Sequence, residues 1–114
     1  MAAYFSFEQQ PGQMFVFELT DEDQIAHARK IVSGEETERV HVMGRIIKRK
    51  QPYNPQWDFH LDPDTISFFE VAIEVCDANM GYVEEHLDEA GGPFLPGLHW
   101  CPWDSKVTRE VVPA

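Results

Sequence analysis

Apolar and polar residues alternate over much of this chain, and the period of the alternation predicts its elements. In MFVFELT (14–20), Phe15, Phe17 and Leu19 share one face, which predicts a strand. Thr20 then precedes Asp21, Glu22 and Asp23, and Ile25, Ala28, Ile31 and Val32 recur at helical spacing. This predicts a helix with Thr20 as N-cap, acidic residues on the positive end of its dipole, and Gly34 as its stop. RVHVMGRIIKRK (39–50) predicts a long strand, and QPYNPQ a loop held open by its prolines. WDFHLD (57–62) sets Trp57, Phe59 and Leu61 opposite Asp58, His60 and Asp62. From 66 to 76, Phe69, Val71, Ile73 and Val75 form one face and Glu70, Ala72 and Glu74 the other. A helix would scatter those groups. Period two predicts a strand over 66–76, paired with 57–61 in a hairpin about the turn Asp62-Pro63-Asp64-Thr65.

Further along, Asp77 is the expected N-cap of a second helix, with Met80, Val83 and Leu87 inward and Gly91-Gly92 ending it. GGPFLPGLHWCPW (91–103) predicts a loop pinned by aromatics, and SKVTREVV a final strand. Residues 1–13 end in the breaker Pro11-Gly12 and read as an irregular arm ahead of a single domain over 14–114. The order β-α-β-β-β-α-β implies an α+β fold: a mainly antiparallel sheet of about five strands with two helices.

Composition narrows the function classes. With 114 residues and 43% hydrophobic content, the chain can bury a real core. A formal net charge of −11 argues against nucleic acid and against anionic membrane surfaces as partners, and leaves basic or neutral ones open. No apolar run approaches the length of a membrane span. MAAYFSFEQQPGQ has neither a basic n-region nor an apolar h-region, so a cytosolic protein and the mature part of a secreted one both fit.

Candidate chemistry is sparse. His60 and Asp62 lie two apart on one strand face, with His41 on the neighbouring strand and His99 further off, a set of the histidine–carboxylate ligand class. The competing reading is a solvated strand face, or a core histidine at position 60. Ser33, Ser67 and Ser105 lack any GxSxG context, no phosphate-binding glycine loop appears, and the paired glutamates read as solvated surface. No cofactor is expected. Cys76 and Cys101, the two cysteines, permit one disulfide, with two buried thiols as the alternative. The basic run Arg45, Lys48, Arg49 and Lys50 reads as the end of an edge strand kept soluble by its charge.

The series VHVMGRI, YNPQWDFHLDPDTISF, EVAIEVCDANMGYVEEHLDEAGG and FLPGLHWCPWDSKVTREV resembles a family of small bacterial domains similar to the amino-terminal domain of a calmodulin-binding protein. The resemblance covers roughly residues 14 to 112. It implies no established activity, cofactor or catalytic residue. It brings calmodulin in by label alone, and calmodulin is acidic, as this chain is. Many members look exported, which favours a Cys76–Cys101 bond and a place outside the cytosol.

Two functions follow as expectations. The first is a non-enzymatic binding module for an unknown protein or small ligand, using Phe94, Leu98, Trp100 and Trp103 in the loop 93–103, unless those aromatics merely plug the core. The second is a small metal-dependent protein or enzyme built on His41, His60, Asp62 and His99. The sequence leans to the first.

Overall fold

The computed structural model describes residues 2–72 and 74–113. Period two begins well before Met14. In AYFSFEQQ, Phe5 and Phe7 are two apart and both fully buried, and they sit on β1 (Ala3–Gln10). β2 (Gln13–Leu19) returns antiparallel, with Phe5 opposite Phe17 and Phe7 opposite Phe15. The expected irregular arm is therefore a strand. Pro11-Gly12 is not a breaker ahead of the fold but the tip of a hairpin, with Gly12 at φ 84° supplying the left-handed residue.

α1 (Glu22–Ser33) buries Ile25, Ala28 and Ile31, as the spacing predicted. Its N-cap is Asp21, one residue later than expected, whose carboxylate accepts from the Gln24 N–H at 3.1 Å. Gly34 ends the helix at φ 89°, with its N–H on the Ile31 carbonyl.

β3 (His41–Ile47) is the hub of the second half. β4 (His60–Leu61) and β5 (Ser67–Phe69) both pair antiparallel with it: Leu61 opposite Ile46, and Ser67 opposite Met43. The expected hairpin of 57–61 against 66–76 is thus overturned. Between those two pairings β3 advances three residues while the facing chain advances six, and the excess is the short 3-10 turn Pro63–Thr65. Arg45 holds this kink in place. Its N–H donates to Thr65 Oγ1 and its carbonyl accepts from the Asp62 N–H, both at 2.9 Å. Gly44 sits against it, where a Cβ would come within 3.2 Å of the Ile66 side chain. The strand expected over 66–76 stops at Phe69. Val71 is 82% exposed and Val75 55%, and a 3-10 turn covers Glu74–Cys76. Ile73, assigned to the same apolar face, lies outside the described residues. β3 is not an edge strand either, and Lys48, Arg49 and Lys50 fall beyond its end.

α2 (Met80–Glu85) is shorter than predicted and capped by Asn79, not Asp77, through a 2.7 Å hydrogen bond from the Tyr82 N–H. Met80 and Val83 are buried, and Leu87 packs against the core. The loop expected over 91–103 contains β6 (Ala90–Gly91) and β7 (Phe94–Pro96), which pair parallel, and β8 (His99–Trp100), which pairs with β3. β9 (Arg109–Val111) closes the chain against β1. The class is α+β with mainly antiparallel pairing. Among the described residues the strands divide into three small sheets, β2-β1-β9, β3 with β4, β5 and β8, and β6-β7, in place of one sheet of five. No helix among them is long and apolar enough to cross a membrane.

Candidate functional site

The loop 91–103 is fixed from both sides. Cys76 and Cys101 form a disulfide with their Cα atoms 5.1 Å apart, and the Cys101 N–H donates to the Cys76 carbonyl at 2.8 Å. Ser105, fully buried, accepts from the Val42 N–H at 3.1 Å and so ties the far end of the loop to β3. A segment rich in proline and glycine thereby keeps one shape.

That shape sends most of its aromatic bulk inward. Trp100 is fully buried, its ring 5.1 Å from Phe15 and 5.4 Å from Phe59. Its indole N–H donates to the Ala78 carbonyl at 2.8 Å. Leu98 packs against the same core while its carbonyl accepts from the Ile46 N–H. Phe94 is half-buried against Tyr82 and His86. Three of the four residues expected to form a binding surface therefore plug the core.

Trp103 is different. It is 43% exposed, and its backbone N–H donates to the Asp77 carboxylate at 2.9 Å. The ring stands as a ridge between two concavities. On one side a cleft of about 230 Å³ is lined by His41, Phe69, Glu70 and Val71. On the other a cleft of about 380 Å³ is walled by polar groups, among them Gln9, Asp77, Asn79 and Asp104. Carboxylates thus flank the indole: Glu70 on the apolar side, Asp77 and Asp104 on the polar side. Burial holds the His41 imidazole below its usual pKa and Lys106 adds to this, while Asp104 opposes it. His41 is accordingly neutral at neutral pH. Its Nδ1 is buried and makes no hydrogen bond among the described residues.

The metal set read from the sequence does not converge. His41 sits opposite Phe69 at one end of β3, and His60 opposite Ile47 at the other. Six steps along a strand separate those ends by about 20 Å. His60 is 2% exposed, and its Nδ1 bonds the Arg49 carbonyl at 2.6 Å, which makes it the donor and a core histidine. Asp62 is engaged locally: it pairs with Arg45 at 3.0 Å and caps the turn at Asp64. Arg45 and the Asp64 N–H hold its carboxyl below the usual carboxylate range. His99 lies apart from all three, exposed on β8.

Sequence reasoning missed Asp77, Asp104, Phe69 and Val71 as walls around Trp103. One signal was present: Val71 lies in an acidic stretch, EVAIE, that a fully buried strand would not favour.

No curated protein and no solved structure matches this chain. A family model does match it, over residues 1–114, and that family is the amino-terminal domain of the calmodulin-binding protein that the sequence resembles. The chain belongs to this calmodulin-binding protein N-terminal domain family.

Proposed function

We propose that this domain is a non-enzymatic binding module that holds a basic segment of a partner protein, with Trp103 as the anchor. The observation that carries the reading is the contrast among the tryptophans. Trp57 and Trp100 are buried, with their indole N–H groups on the carbonyls of Met14 and Ala78. Trp103 alone of the three presents its ring to solvent, on a backbone held by the disulfide and Asp77. A rigid, half-exposed indole is the kind of residue that concentrates binding energy.

Charge selects the partner. An arginine or lysine stacked on the indole face gains a cation–π contact, and Glu70, Asp77 and Asp104 stand where they can receive its charge. The net charge of −11 would speed the encounter with a basic chain and disfavour an acidic one. The smaller cleft, walled by Phe69 and Val71, suits an apolar side chain next to that cation.

Amide and indole chemical shifts in a 15N-labelled sample, titrated with short arginine- and lysine-containing peptides, test this. Saturable shifts at Trp103, Asp77 and Val71, weakened by salt and absent with an acidic peptide of equal length, are expected. Equal responses to basic and acidic peptides, or shifts that avoid Trp103, would sink the proposal.

A further inference from the structure

Cys76, His99 and Cys101 bring two sulfurs and an imidazole nitrogen within 4.8 Å of one another. Of the described residues, these make up the one group of three metal-ligating side chains that converges. The two sulfurs are buried and the imidazole is exposed, so the group opens to solvent on a single side. The scaffold comes from three places. Cys76 ends the 3-10 turn Glu74–Cys76, His99 lies on β8 opposite Arg45, and Cys101 follows two residues after it. The Cys101 N–H to Cys76 carbonyl bond keeps the two chains together independently of the sulfur–sulfur link.

We propose that this disulfide is the oxidised form of a zinc site, and that reduction converts it into a Cys₂His centre with an open fourth position. The proposal goes beyond the binding reading above and does not depend on it. In the oxidised chain the sulfurs are bonded to each other and cannot act as thiolate ligands. A dithiol reductant exchanges with the bond: two electrons and two protons pass to Cys76 and Cys101, and the reductant becomes a disulfide. Zinc then displaces one proton from each thiol, and the neutral His99 imidazole supplies the third ligand. Zn–S and Zn–N bonds of about 2.3 and 2.0 Å in tetrahedral geometry need ligand atoms roughly 3.5–3.8 Å apart. Small side-chain rotations from 4.8 Å reach that spacing. Two thiolates with an imidazole favour zinc over the hard, oxygen-seeking cations. The fourth position, on the exposed side, takes water or a small ligand.

The test uses the full chain, oxidised and after anaerobic reduction with a dithiol that is then removed by gel filtration. Zinc is titrated against a chromophoric chelator, cobalt(II) replaces it for spectroscopy, and circular dichroism follows the fold in the same samples. One equivalent of zinc bound by the reduced chain and none by the oxidised chain is expected. Cobalt should give a thiolate charge-transfer band. H99A should weaken zinc binding by more than about tenfold, the least that disturbing even an outer-shell partner costs. Loss of fold on reduction supports the site if one equivalent of zinc restores the fold and H99A requires more. The proposal is overturned if reduced, folded protein takes no zinc, if H99A binds it equally well, or if zinc fails to refold an unfolded reduced chain.

Discussion

The backbone N–H of Trp103 donates to the Asp77 carboxylate at 2.9 Å, which joins the end of the aromatic loop to the approach of α2. That bond fixes where the half-exposed indole stands, and it is itself at the surface. Asp77→Ala should therefore cost under about 1.5 kcal/mol of stability, the scale of one hydrogen bond. It should weaken binding of a basic peptide more than Asp77→Asn does, since asparagine keeps the acceptor. Melting curves and peptide titrations on the two variants separate these effects.

Trp100 and Trp103, three positions apart, should respond oppositely to truncation. Trp100 is fully buried among Phe7, Phe15 and Phe59, so Trp100→Ala leaves a cavity and a bare Ala78 carbonyl. A loss of about 3–5 kcal/mol is expected. Trp103→Ala removes a ring that is 43% exposed and should cost no more than about 1 kcal/mol. Thermal melts of the two variants check this directly. If Trp103→Ala destabilises as strongly as Trp100→Ala, the ridge is part of the core.

How far the sequence reached depends on whether a signal was local. α1 was legible because its apolar spacing, acidic start and Gly34 stop all lie within one segment. The strand over 14–20 was legible for the same reason, with Phe15, Phe17 and Leu19 buried as expected. Period two, however, says that a segment is extended and not which strand it meets. Phe59, Leu61 and Phe69 alternate correctly, yet both flanks of the Asp62–Thr65 turn pair with β3 in place of each other. β1 was hidden because Pro11-Gly12 has the same composition whether it breaks a chain or turns a hairpin. The cleft around Trp103 joins residues 41, 69, 77 and 104, and no local pattern encodes that meeting.

Acid should weaken the fold through His41 in a window of its own. Burial, first, and Lys106 keep its pKa below the ordinary value of 6.5. The unfolded chain therefore binds the proton more readily. Stability from this group is present above about pH 6.5 and is lost as pH falls from there through the lower folded value. Asp62, held down by Arg45, is also a depressed group, but its loss begins only near the ordinary carboxylate range. His41→Gln should flatten the decline in melting temperature between about pH 7 and 5 while leaving the steeper acid limb. An unchanged slope in that interval would assign the decline to other groups.

Asn54 should prove the most sensitive polar residue of the chain, although it lies in a proline-framed loop that read as surface. It is 1% exposed. Its Oδ1 accepts from the Val16 N–H at 2.9 Å, on the outer edge of β2, and its Nδ2 donates to the Phe59 carbonyl at 3.2 Å. With the Trp57 indole on the Met14 carbonyl, it covers an edge that would otherwise leave strand groups unpaired. Asn54→Ala strips a buried donor and a buried acceptor of their partners, an expected loss of about 2–4 kcal/mol. Asn54→Asp discriminates further. The carboxylate keeps the Val16 acceptor but loses the donor to Phe59 and buries a charge, so the folded pKa of this aspartate rises above its unfolded value. The folded state then binds its proton more tightly, and stability relative to the parent recovers as pH falls from 7 through that raised pKa. Denaturant melts across pH 7 to 4 should show the deficit of Asn54→Asp shrinking while that of Asn54→Ala stays level. Parallel deficits for the two variants would mean that water, and not Asn54, satisfies the Val16 and Phe59 groups.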